Sequence, residues 1–440
     1  MMDQIVAALR ARTDLRGWSV KQTMQRGAQL YAVSIGLEAA REVNTVDYRV
    51  EVLIDTGTTD QAACGQASVT VQPGDDLDRA IDEACLMASL VHNPPYSLPA
   101  VADMPDVPLA DAELQAAPLA ALERLYARLA AAVAKHPQVR MTAAEVFGDE
   151  DTIRLVNSRG LDVTQVGTKV ATEWVLIGRS GGQEVETFFE TTRRRISDLD
   201  IEAEVERRAQ STLDLLAATA PPDFTGPVVL QGATLASFFS GAGILGGNIF
   251  GLRGAAENKY AQISPWEIGQ SIFSREVSGD ALTIWANRAL PYGVYSDRFD
   301  DEGLPAQRVE LIRNGQLMAF VANQRYAEYL SLPPTGAFGN FEVAAGLTPA
   351  EQLTAEPHVE IAAFSWFNPS PVTGDFACEI RLGYWVEGDR RTPFRGGTLI
   401  GNVLDALTEV RFSRETGFYG EYAGPTTAQF QQLKVAGGSS

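Results

Sequence analysis

The first half of this 440-residue chain is predicted to be α+β and the second half mostly β. Three observations lead there. Up to about residue 222, helical periods and β-branched or alternating runs interleave, and Pro221-Pro222 close the last helix. Prolines concentrate in 93–112 and divide that half into two α+β segments. From about 226 to 436, short strand patterns alternate with glycine turns. The expected divisions are an N-terminal α+β domain (1–92), a Pro-rich linker (93–112), a middle α+β domain (113–222), a β-rich C-terminal domain (223–436) and a flexible tail (437–440).

The elements follow in order. Residues 3–14 carry Ile5, Val6 and Leu9 on one helical face, and strands are expected near 31–37, 48–54 and 67–71. Asp75-Asp76 cap a helix to about Val91, with Cys85 on its apolar face. After the proline segment come an Ala- and Leu-rich helix (116–135), strands at 152–157, 162–167, 170–178 and 184–192, and a helix over 198–218. Phe224 to Leu252 holds no charge; its many glycines and polar residues favour a buried strand, helix and loop over a membrane span. Asn314-Gly315 between 306–313 and 316–321 is a hairpin signal, because both turn positions need positive φ.

Net charge is −20 and the pI about 4.6, which argues against nucleic-acid or anionic-membrane partners. The basic run Arg193-Arg194-Arg195 is followed by acids and is expected to be a solvated element end. Cys64, Cys85 and Cys378 are too far apart for a Cys-x-x-Cys site, and Cys378 alternates with Phe376 and Ile380 as a core strand residue. Residues 1–16 lack an apolar signal-peptide core, so the cytoplasm is expected.

Zinc hydrolysis needs clustered ligands and a base for the bound water. His92, His136 and His358 have no second His or Glu at helical spacing, and each is expected at a surface or cap. Gly241-Ala242-Gly243-Ile244-Leu245-Gly246 matches a dinucleotide fingerprint, but a helical pattern precedes it where a strand is required. Asp300, Asp301 and Glu302 read as a solvated turn, with cation binding the lesser reading.

Several blocks together resemble the TldD/PmbA family. They are Arg298-Phe299-Asp300-Asp301-Glu302-Gly303-Leu304-Pro305 with Arg313-Asn314-Gly315, Asn157-Ser158-Arg159-Gly160, Leu282-Thr283-Ile284, Pro334-Thr335-Gly336, Thr373-Gly374-Asp375, Tyr384-Trp385-Val386-Glu387-Gly388 and Gly396 to Asn402. The resemblance covers the whole chain and implies a C-terminal β-rich domain of the TldD/PmbA type. In catalytic members a His-Glu-x-x-x-His helix follows the strand that opens this domain, and a late Cys completes the zinc site. Here the matching positions fall near Phe238, Phe239 and Gly243, and the late Cys would fall around Phe418-Tyr419-Gly420. No catalytic, cofactor or metal residue is therefore carried over.

The pattern is similar to the PmbA (TldE) branch. That implies a non-catalytic subunit, with zinc in a TldD-like partner, and proteolysis of unfolded peptides such as leader segments. The family also bears the label modulator of DNA gyrase. Two alternatives stand beside this: a stand-alone hydrolase with a relocated site, and a homodimeric peptide-binding scaffold.

Overall fold

The structure, a computed structural model, describes residues 1–58, 61–240 and 248–437. Its first half contains α1 (Met2–Ala11), β1 (Gly17–Val33), β2 (Gly36–Asp55), β3 (Cys64–Val71), α2 (Leu77–Ser89), α3 (Ala112–Ala116), α4 (Pro118–Val133), β4 (Val139–Asn157), β5 (Asp162–Ser180), β6 (Gln183–Arg193) and α5 (Ile201–Ala217). The expected helix 116–135 is broken at Ala117, because Pro118 cannot donate into the preceding turn. The expected strands 162–167 and 170–178 are one strand, β5, whose period of two runs through Thr168.

All six strands form one antiparallel sheet in the order β3-β2-β1-β4-β5-β6. The two predicted α+β segments are thus halves of a single sheet, joined where β1 pairs with β4 from Ser19 opposite Asn157 to Val33 opposite Ala143. Helices α1 to α5 cover one face. Val20, Val50 and Val156 meet α1 and α2, while Val146, Trp174 and Leu176 meet α4 and α5. Alternation turns Asp149, Asp151, Ile153 and Leu155 to the other face, where the C-terminal domain docks: Leu155 and Leu161 pack on Phe299.

The Pro-rich segment is not a free tether. Tyr96, Leu98, Val107 and Leu109 are buried. Its carbonyls are shared between both halves: Pro99 accepts from Asn157 Nδ2, Leu109 from the Thr168 amide, Pro105 from Arg298 Nε and Pro108 from the Tyr292 amide. Proline has no N–H to satisfy, so such a strap costs little when it is buried without a ladder of its own.

The second half runs β7 (Phe224–Gln231), α6 (Ala233–Ser240), α7 (Ile249–Gly254), α8 (Ala256–Tyr260), β8 (Ile284–Asn287), β9 (Arg308–Arg313), β10 (Gln316–Leu317), α9 (Gln324–Leu330), β11 (Asn340–Val343), α10 (Ala350–Leu353), β12 (His358–Phe364), β13 (Asp375–Glu387), β14 (Arg390–Phe394), β15 (Thr398–Asn402), α11 (Val403–Leu407), β16 (Arg411–Phe412), β17 (Thr416–Tyr419), β18 (Tyr422–Pro425) and β19 (Thr427–Ala436). A six-stranded sheet, β10-β9-β8-β11-β18-β17, faces a seven-stranded sheet of path β12-β7-β19-β15-β13-β14, with β16 also paired to β19 and β12 also paired to β13, across one continuous core. Asn314 and Gly315 take φ of 49° and 76°, as the predicted hairpin turn requires. Its second strand stops at Leu317 rather than 321. No described helix is long and apolar enough to cross a membrane; the uncharged stretch from Phe224 supplies β7, α6 and part of α7.

Candidate functional site

The helix that the sequence comparison singles out, α6, begins after Gly232, whose φ of 54° turns the chain off β7. Thr234 Oγ1 donates to the Gln231 carbonyl (2.8 Å) and fixes that corner. Phe238 and Phe239 follow on the helix and are fully enclosed. The Phe238 ring lies 4.7 Å from Phe430 and 5.8 Å from Phe367, centre to centre, and Phe239 stacks on Tyr422 at 5.5 Å. Two phenyl rings offer no ligand atom, so zinc does not fit this helix through these positions. Gly243, and with it the glycine fingerprint 241–246, lies outside the described residues.

The hairpin between β17 and β18 meets α6. Tyr419 approaches Gly232, and Glu421, next in line after Gly420, is 5% exposed. Burial pushes the Glu421 carboxyl up to about 7, with Ser240 of α6 acting the other way. Sequence reasoning passed over Glu421. Its signal was a single acid between aromatics in Phe418-Tyr419-Gly420-Glu421-Tyr422.

The acidic turn is solvated at Asp301, as predicted, but not at Asp300. Asp300 is buried, and its Oδ1 accepts from the amides of Glu302 (3.0 Å), Gly303 (2.9 Å) and Leu304 (2.9 Å). Gly303 takes φ of 96°, which closes the turn. Glu302 Oε2 accepts from the Gln324 amide (2.8 Å), and Asp301 reaches Lys21 of β1 (2.9 Å). Burial, with Asp300 alongside, pushes the Glu302 carboxyl up to about 8. The turn is a clasp between the two halves.

The basic run also differs from its prediction. Arg194 is buried; its Nε donates to the Gly293 carbonyl (3.0 Å) and its Nη2 to the Ser296 carbonyl. Arg195 pairs with Asp198 and lies over Tyr292. Arg194 thereby joins the end of β6 to the loop after β8, beside a polar cavity lined by Asp151, Lys169, Arg288 and Asp297.

The histidines lie on separate elements. His92 is exposed, and His136 Nε2 is 3.3 Å from Glu206. His358 departs from the surface expectation: it is buried in β12, with Nδ1 2.8 Å from the Glu356 carbonyl. Cys378 is a buried β13 residue, as its alternation predicted. Among the described residues no group of three His, Cys, Asp or Glu is placed to hold a metal ion.

Residues 225–437 match the family described as PmbA/TldA metallopeptidase C-terminal domain. The C-terminal half of the chain is a domain of the TldD/PmbA family. An uncharacterised protein of Methanocaldococcus jannaschii is 25% identical over 58% of this chain and 60% of its own length. Metalloprotease PmbA of Escherichia coli O157:H7 is 25% identical over 57% of this chain and 54% of its own length. The aligned part thus spans little more than half of these relatives. The crystal structure of TldE from Thermococcus kodakarensis superposes with a TM-score of 0.81 at 19% identity, over 99% of this chain and all of that one. A candidate modulator of DNA gyrase from Thermotoga maritima gives 0.83 at 19% identity, over 99% of each. These likenesses extend the TldD/PmbA fold to both halves of the chain.

Proposed function

We propose that this chain is the non-catalytic, PmbA/TldE-like subunit of a cytoplasmic TldD/PmbA metallopeptidase complex, and that zinc resides in a TldD-like partner. The carrying observation is the aromatic packing of α6, where Phe238 and Phe239 fill the positions that resemble the zinc motif. The substrates in this reading are unfolded peptides, leader segments among them. An extended chain can be held by backbone hydrogen bonds along a strand edge with little sequence choice. The edge strand β17 of the C-terminal domain supplies such an edge, whereas the other edge, β10, is already bonded to residues 269–272.

The test begins with elemental mass spectrometry of the purified chain, beside a peptidase assay on unfolded substrate with and without chelator. The expected result is no stoichiometric zinc and no cleavage, with activity appearing when a His-Glu-x-x-x-His partner is co-expressed. Stoichiometric zinc with chelator-sensitive cleavage by the chain alone would overturn the reading. Equal cleavage of folded and unfolded substrates by the pair would remove its peptide-selecting part. One observation favours a stand-alone hydrolase instead: the Glu421 carboxyl, held near 7, is suited to proton transfer. Metal-independent cleavage that is lost in Glu421→Gln would support that second reading.

A further inference from the structure

The sheet face opposite the helices gathers charge. The period of two places Asp151 on β4 and Gln165 and Lys169 on β5 on one side, and the loop after β8 brings Arg288 and Asp297 against them. With Arg194 these groups border a cavity of about 220 Å³. That is smaller than the roughly 300 to 1,000 Å³ of a drug-sized pocket and suits one amino-acid residue. Leu109, Ile153 and Val294 give it apolar walls.

Some of these groups are already engaged. Asp297 accepts from Gln165 Nε2 (2.9 Å) and Arg288 Nη2 (2.6 Å) and lies 3.9 Å from Arg194. Arg194 gives Nε and Nη2 to carbonyls of the facing loop. Others are not. Arg288 Nε is buried without an acceptor. Among the described residues the Lys169 ammonium, 5.9 Å from the centre of the Tyr295 ring, makes no hydrogen bond or ion pair, and neither does the Asp151 carboxylate. Burial and nearby Arg194 push the Lys169 pKa down, and burial pushes that of Asp151 up. Lys169 and Asp151 act on each other through space, but among the described residues neither has the hydrogen-bond partner that would offset its desolvation.

A ligand that completes the set must bring a negatively charged oxygen for Lys169, with the Arg288 guanidinium in the cavity wall, and an N–H donor for Asp151. An α-carboxylate with its own N–H carries both on one residue. Phosphate does not: it adds up to two negative charges and no amine beside Asp151, Asp297 and Asp149, the last directly opposite Lys169 in register. We propose that this cavity binds the α-carboxylate of an amino acid or of the C-terminal residue of a peptide, the carboxylate against Lys169 and Arg288 and the N–H against Asp151. The assignment stands on these side chains and not on the proposed partnership.

The experiment is calorimetric titration of the full chain with N-acetyl-L-alanine, L-alanine, N-acetyl-L-alaninamide and inorganic phosphate. The acid is expected to bind and its amide not to. Binding of both acids, or of L-alanine alone, separates a peptide terminus from a free amino acid as the source. Lys169→Gln is expected to weaken the acid by about tenfold or more, the loss of one charge-assisted contact, while Lys169→Arg stays within about threefold. Should Lys169→Gln not fold, the acid-against-amide comparison on the natural chain decides. Equal binding of acid and amide, tighter binding of phosphate, an unchanged Lys169→Gln affinity, or no carboxylate binding up to about 10 mM would overturn the proposal.

Discussion

Arg194 ties the sheet to the C-terminal domain through one guanidinium that bonds two carbonyls of the 293–296 loop. Replacing it by Met keeps the stem but leaves those carbonyls without their donor. Arg194→Met is therefore expected to cost about 2 to 4 kcal/mol in urea unfolding, the range for breaking a buried hydrogen-bond network. Glu302 sets a pH dependence. Its carboxyl is held up at about 8, above an ordinary unfolded value near 4.5. Between those values the folded state keeps a proton that the unfolded state has lost, so stability falls as pH rises through the window. Glu421, at about 7, and Asp149, raised to about 6 by burial, act in the same sense. The urea midpoint should be higher at pH 6 than at pH 8.5, and Glu302→Gln should narrow that gap. Neither residue could be placed from sequence. Three acids before a glycine look the same locally whether a turn faces water or carries its amides on a buried Asp300. An arginine in a basic run gives no sign of the loop about a hundred positions later that encloses it.

The elements that were legible are those whose signal is local. The Asn314-Gly315 hairpin, α2 with its Asp76 cap, and Cys378 in β13 follow from turn chemistry, capping and alternation, which act within a few residues. At this scale two substitutions are informative. Phe238→Ala empties the centre of the aromatic cluster and should destabilise by about 3 to 5 kcal/mol on thermal or chemical unfolding. Gly315→Ala forces a side chain onto a φ of 76° and brings its Cβ within 2.9 Å of Phe273 Cε2, so a loss of about 1 to 2 kcal/mol is expected. The long strands β4 and β5 were seen only in part, because charged residues such as Asp151 and Lys169 interrupt the apolar alternation and are covered only by the docked loop after β8. The cavity was invisible for a related reason: β4, β5 and the loop after β8 meet only when the halves dock.

For the whole molecule, the proline strap and the β1–β4 ladder change what the expected linker means. A cut within 93–111 should not release two separable domains. The fragments are expected to co-elute in size-exclusion chromatography until denaturant is added, and 1–92 expressed alone should show no cooperative unfolding, because β1 would have lost its β4 partner along its full length. The −20 charge is compatible with this design, since the joint between the halves is built from buried groups and specific ion pairs.

The strand order of the C-terminal domain has a consequence in time. β7 lies between β12 and β19, and β19 separates it from β15. A ribosome adding about 5 to 20 residues per second takes roughly 10 to 40 s to travel from β7 to β19. Throughout that interval β7, β12, β13 and β15 can pair in series, but the sheet stays open between β7 and β15. A nascent chain that stops before Thr427 cannot close its larger sheet, so incomplete copies are exposed to proteolysis while complete ones are not.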